Sequence, residues 1–206
     1  MKEAIKKSQM TDLRLKEHFE AYHQLQAEDI FKYLFQSAFG CEHLVSDPSA
    51  ALNYIKKELE NVSALPTLDE LDGEYTRVHI SCLAPETLAR LFCLSARKEA
   101  DGKAELERKL TVAGEMVRSG ELPISEEDYA KKLSRWREAG YPAIRHSQAF
   151  RETYAPAYRV IADEFVRFLG LFAELDRRLA KKPTVLAIEG GSASGKTTLS
   201  AILKRV

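Results

Sequence analysis

Gly190, Gly195, Lys196 and Thr197 stand at the spacing G-x-x-x-x-G-K-[ST], which is a spacing suited to phosphate. Glycines let the backbone curl until successive N–H groups point into one concavity. A helix opening at the end of that curl adds its partial positive charge. Lys196 is placed to reach the β- and γ-phosphates of a nucleotide, and the Thr197 hydroxyl to ligate Mg²⁺. The full cradle comprises Gly190, Gly191, Ser192, Ala193, Ser194, Gly195, Lys196, Thr197 and Thr198. The cofactors it calls for are a nucleotide and Mg²⁺. Its flanks agree. Val185-Leu186-Ala187-Ile188 reads as a short apolar strand, and Leu199, Ile202, Leu203 and Val206 fall at i, i+3, i+4, i+7, the face of a helix that lies on a sheet.

A second group has no motif behind it. The stretches Gly140–Ser147 and Tyr154–Arg159 gather His, Ser, Tyr and Arg around breaks in helical pattern, where polar side chains can converge on a pocket. Together with the end of an earlier helix and one strand they suggest that His43, Arg77, His79, His146 and Arg159 line a pocket for an anionic small molecule. The competing reading is that these groups satisfy helix ends and buried carbonyls. Cys41, His43, His79 and Cys82 are zinc-type ligands, but Cys41-x-His43 is too tight for a standard site and Cys82 alternates onto the apolar side of its strand.

The elements that must position these residues are mostly helices. Thr11-Asp12 can start one that carries Leu15, Phe19 and Tyr22. A second runs from about Ala27 to Phe39 and stops at Gly40, and a third starts with Pro48 at its first position. Asp72-Gly73 between extended-looking runs signals a hairpin, in whose second arm Val78, Ile80 and Cys82 face inward and Arg77, His79 and Ser81 face out. Helices resume at Pro85, at about Lys103 with Leu106, Leu110, Ala113 and Val117 on one face, and after the cap Ser125 with Tyr129, Leu133 and Trp136 inward. The longest helix is expected after Pro156, where Tyr158, Ile161, Phe165, Phe168, Phe172, Leu175 and Leu179 form a heptad-like seam.

The expected fold is therefore mainly α. Residues 1–182 form a helical domain with a small β-hairpin, and Lys181-Lys182-Pro183 leads into residues 183–206, the first strand, P-loop and helix of an incomplete α/β P-loop NTPase domain. Nine residues follow Thr197. The carboxylates and arginines that complete phosphoryl transfer lie on later strands in such enzymes, so the chain is expected to be the N-terminal part of a longer P-loop enzyme, inactive by itself.

With 31 basic and 31 acidic residues among 206 the chain is formally neutral, which gives no electrostatic case for nucleic acid or an anionic membrane surface. No apolar run reaches membrane-spanning length, and the N-terminus lacks a secretory pattern. Three cysteines fit reduced thiols in the cytoplasm.

The string GGSASGKTT at 190–198 resembles the P-loop of the uridine kinase-like family, in the wider group that includes phosphoribulokinase and bacterial pantothenate kinase. The resemblance spans residues 184–206. Glu189 departs from it, since a small or neutral residue commonly precedes the glycine pair. It implies an ATP-dependent kinase whose partners are a nucleotide and a small-molecule substrate bearing the acceptor hydroxyl. The alternative is a metabolite-binding or regulatory helical module fused to such a kinase.

Overall fold

Apolar residues at helical spacing, separated by Gly and Pro, produce a structure built mostly of helices. The computed structural model describes residues 2–40, 48–62, 68–71, 74–96 and 102–206. In chain order the elements are α1 (Lys2–Ala21), α2 (Ala27–Phe39), α3 (Pro48–Leu59), β1 (Leu68–Glu70), β2 (Tyr75–His79), α4 (Pro85–Ser95), α5 (Gly102–Arg118), α6 (Glu126–Glu138), α7 (Gln148–Tyr154), β3 (Tyr158–Ala162), α8 (Asp163–Val166), α9 (Leu169–Leu179) and α10 (Lys196–Arg205). The three strands form one sheet in the order β1-β2-β3. No helix among the described residues is long and apolar enough to cross a membrane.

The chain folds as two units, the first comprising Met1–Gly40, Glu70–Tyr75 and Lys98–Pro156. Its centre is α5, which packs on α1, α2 and α6. The face foreseen for α5 is the buried one: Leu106, Leu110, Ala113 and Val117 are all in the core. The wide apolar face of α2 meets it, and Phe31 stacks on Trp136 of α6 with ring centroids 5.3 Å apart. Ser125 caps α6 by accepting the Asp128 N–H. The helix breaks at Gly140-Tyr141, both at positive φ, and the Trp136 indole donates to the Pro142 carbonyl at 2.8 Å.

One start differs from the sequence expectation. Helix α1 begins at Lys2, so Thr11 lies inside it. Thr11 is fully buried and its hydroxyl accepts a hydrogen bond from Arg108 Nη2. A residue type suited to capping serves here as a contact between helices.

The second unit comprises Cys41–Asp69, Thr76–Arg97 and Ala157–Val206. Here α4 packs on α3 and on β3, and α8 packs on β3. Ile55, Val78, Ile80, Leu88, Leu91, Val160, Ile161 and Phe165 fill its core. The expected alternation of β2 is corrected. All five of its residues are buried, Arg77 and His79 included. The Asp72-Gly73 turn lies outside the described residues.

The expected long helix after Pro156 is also corrected. Residues 158–162 form β3, four residues make α8, and only then does α9 run from Leu169. The seam was an accident of spacing, and Leu179 at its end is 57% exposed. Val160-Ile161 is β-branched and suits a strand, and the partners of β3 are in place: Ile80 N–H donates to Ala157 O, while Ala162 N–H donates to the buried Ser95 hydroxyl of α4. The Thr76 hydroxyl donates to Asp163, tying β2 to the start of α8.

Helix α4 begins after Ala84, which has no side chain to cap it. Asp176 of α9 supplies the acceptors, receiving the Ala84 N–H at 2.9 Å and the Thr87 hydroxyl at 2.6 Å. Replacing Asp176 by Ala is expected to lower stability by about 1–2 kcal/mol, the usual loss for a helix cap. Asp176→Asn keeps an acceptor oxygen and should lose less. Urea denaturation measures both, and an unchanged midpoint for Asp176→Ala would show that α4 is held by other means.

Candidate functional site

The glycine-rich loop lies in the second unit, between residues 183–190, which run without regular secondary structure, and α10. The expected strand at 185–188 is not formed. Val185 is 97% exposed and Leu186 43%, so neither has the buried face that would hold a strand in a sheet. The expected helix is formed. It opens at Lys196 directly after Gly195, which sits at φ 82 and has no side chain to cap it.

The loop itself is tightly curled. Ala193 is left-handed at φ 58, a conformation non-glycine residues rarely take. A Cβ on Gly190 would fall 2.6 Å from the Ser194 hydroxyl, so the curl closes only over a glycine. The Lys196 side chain arcs back across the loop, and its ammonium donates to the Gly190 carbonyl at 2.7 Å and the Gly191 carbonyl at 2.6 Å. Ser192, Ser194, Thr197 and Thr198 are exposed around it. The first turn of α10 carries no acidic residue and its last turn carries Lys204 and Arg205, so the N-terminal end keeps its positive dipole for an incoming anion. The helix is anchored from behind. Ile202 is buried, Arg205 lies over the Phe165 ring at 5.3 Å, and Arg90 donates to the Val206 carbonyl.

The second group of candidates is dispersed. His43 lies outside the described residues. Arg77 and His79 sit on β2. The Arg77 guanidinium pairs with Asp69 at 3.1 Å across the hairpin and lies over the Tyr158 ring at 4.8 Å. Arg159, the next residue on β3, bonds Glu58 at 3.0 Å and lies over Phe92. Adjacent residues of a strand point to opposite faces, so Arg77 and Arg159 serve opposite faces of the sheet and do not converge. His79 is buried, and its Nδ1 accepts from the Ser81 N–H and lies 2.8 Å from the Ser81 hydroxyl. Burial pushes its pKa down, which favours the neutral ring. Cys41 lies outside the described residues. Among the described residues no group of three or more His, Cys, Asp or Glu side chains could hold a metal ion.

His146 belongs to the first unit, where it meets a residue the sequence did not single out. Asp29 of α2 is fully buried. Its Oδ1 accepts from His146 Nδ1 at 2.9 Å and from the Ser147 N–H at 3.0 Å, and its Oδ2 accepts from the Gln26 N–H. Ser147 in turn caps α7 through the Phe150 N–H. Asp29 reads in the sequence as ordinary first-turn charge, and only its position on the same face as Ile30 and Tyr33 hints at burial.

Burial alone raises the pKa of the Asp29 carboxyl, but the hydrogen bonds from His146, Ser147 and Gln26 outweigh it and hold the group below its usual value. A depressed carboxylate contributes stability that is complete above its unfolded pKa and is lost as pH falls through the folded one. Stability measured by urea denaturation is therefore expected to drop as pH falls below about 4, with Asp29→Asn less stable at neutral pH and flatter across that range. An Asp29→Asn curve parallel to the unmodified one would assign the acid sensitivity to other groups.

No protein-family model matches the chain, and the searches of curated proteins and of solved structures found no match.

Proposed function

We propose that the chain carries the nucleotide-phosphate cradle of an ATP- and Mg²⁺-dependent kinase that phosphorylates a hydroxyl of a small metabolite, of uridine kinase-like type. The observation that supports this most is the path of Lys196. Its ammonium spans the loop to the carbonyls of Gly190 and Gly191 while α10 opens at the same residue. The ammonium and the N-terminus of α10 then stand at one loop, and each adds to the stabilisation of an anion held there. Gly195 and Lys196 supply the curl and the cation, Thr197 the Mg²⁺-ligating hydroxyl, and Ser192, Ser194 and Thr198 further hydroxyls around the phosphates. A cytoplasmic location, where ATP is abundant and thiols stay reduced, goes with this reading.

The loop is shaped by its own bonds and by the anchoring of α10, without a strand beside it, so nucleotide affinity is expected to be weak and Mg²⁺-dependent. Titration of a fluorescent ATP analogue in the presence and absence of Mg²⁺ measures this. Lys196→Ala removes the charge and should weaken binding at least tenfold, the loss of about 1.5–3 kcal/mol for a charge-assisted contact. Gly190→Val drives a side chain into Ser194 and should abolish binding with little change in melting temperature, because the loop is exposed. Equal affinity in both variants and in the unmodified chain would overturn the proposal.

A further inference from the structure

His79 ends β2 and is 4% exposed, and its two ring nitrogens are treated unequally. Nδ1 accepts the Ser81 N–H at 3.3 Å and lies 2.8 Å from the Ser81 hydroxyl. An incoming N–H requires a lone pair, so Nδ1 is the bare nitrogen and the ring proton sits on Nε2. Nε2 is buried and has no hydrogen-bond partner among the described residues. The Cys82 N–H donates to the His79 carbonyl at 3.0 Å. Residues 79–82 thus form a turn that is pinned by the main chain and by the neutral ring together. Ser81 is exposed, so water reaches the turn from outside.

A second proton can enter this ring only at Nδ1. There it turns the acceptor into a donor, and one N–H then faces another. The Ser81 N–H bond is lost, and Nε2–H carries part of a buried positive charge to a place with no acceptor. The surrounding charges do not compensate. Arg77, two residues earlier on the same face of β2, has the same sign. Asp69 and Glu70 of β1 pair with Arg77 and Arg14. On β3 the Tyr158 ring receives the Arg77 guanidinium, and Arg159 pairs with Glu58. On α4 Glu86 pairs with Lys56, and Asp176 of α9 is taken up by the Ala84 N–H and the Thr87 hydroxyl. Burial is the cause that lowers the pKa of His79, with no contribution from a described charge. The Cys82 thiol in the same turn stays neutral, its pKa raised by burial.

We propose that His79 is an acid-sensitive latch on the second unit: the neutral ring holds the turn after β2 closed, and a proton on Nδ1 opens it. In the open turn the ring reaches water, where both of its N–H groups find acceptors. The turn leads into α4, which packs on α3 and β3 and whose Arg90 holds the Val206 carbonyl beyond α10. The sign follows from burial. The open chain takes the proton before the closed one, so closure is fully favoured above about pH 6.5 and is lost progressively as pH falls below it. That window lies above the one set by Asp29, and the two are read separately.

NMR of the whole chain between pH 7.5 and 5.0 tests this. At pH 7.5 the His79 ring is expected as the Nε2–H tautomer. Exchange of the Cys82 amide, corrected for its intrinsic rate, should rise about tenfold per pH unit below about 6.5, as for an opening coupled to one proton. The Leu110 and Ala113 amides of α5 should stay protected over the same range. His79→Asn offers an acceptor oxygen in place of Nδ1 and cannot titrate, so its Cys82 amide should keep constant protection. Should that variant fail to fold, the tautomer and the exchange profile of the unmodified chain decide by themselves. An Nδ1–H tautomer, a ring that titrates at or above its ordinary value, or Cys82 exchange with the same pH dependence in both chains overturns the proposal.

Discussion

A helix start within a protein leaves N–H groups that need acceptors, and both units are arranged around meeting that need. In the first, one carboxylate, Asp29, takes the Gln26 N–H at the head of its own helix and the Ser147 N–H far along the chain. In the second, Asp176 of α9 caps α4, and the Ser95 hydroxyl of α4 takes the Ala162 N–H at the end of β3. Apart from the Gln26 contact, these bonds join segments distant in sequence. Each fixes an angle or a register that apolar packing alone leaves loose, because the penalty for an unsatisfied buried N–H applies only when the right acceptor moves away.

The same constraint explains which elements could be read from the sequence. Helices α2, α4, α5 and α6 carry their signals locally: an apolar stripe in each, Pro85 and Ser125 at the starts of α4 and α6, and Gly40, Gly120 and Gly140 beyond the ends of α2, α5 and α6. Their buried faces follow from periodicity alone. Strand β3 does not announce itself. Spacing of Tyr158, Ile161 and Phe165 matches a helix, while the acceptors and donors that make it a strand sit on β2 and α4. Arg77 and His79 alternate as an exposed face would, yet both are buried, since Asp69 and Tyr158 receive the guanidinium from neighbouring strands. Pattern reports what a segment does by itself, and long-range hydrogen bonding decides these cases.

The candidate sites divide the same way. The loop at 190–198 was legible because its chemistry is local: the residues that curl the backbone, carry the charge and open the helix are consecutive. The dispersed group was not, because His and Arg types alone do not say which face or which unit receives them. His146 went to a buried carboxylate, and Arg77 and Arg159 went to opposite faces of one sheet.

Under the proposed nucleotide reading, Lys196 is set for a phosphate before one arrives. An ammonium has three donors. Two are held by the Gly190 and Gly191 carbonyls, and the nearest further acceptor, the Ser194 hydroxyl, stands 3.5 Å away, too far for a strong bond. The two good bonds fix the charge over the loop, so its side-chain entropy is already lost and binding need not supply it. They also orient the loop. In a trans peptide the N–H points opposite to the C=O, so turning the Gly190 and Gly191 carbonyls toward the ammonium turns the next two N–H groups away from it. The weakly used third donor is then the one left for an oxyanion. The affinity this provides depends on how firmly the loop keeps that shape, which here rests on the Gly190–Ser194 contact, the Lys196 bonds and the anchoring of α10 through Ile202 and Arg205.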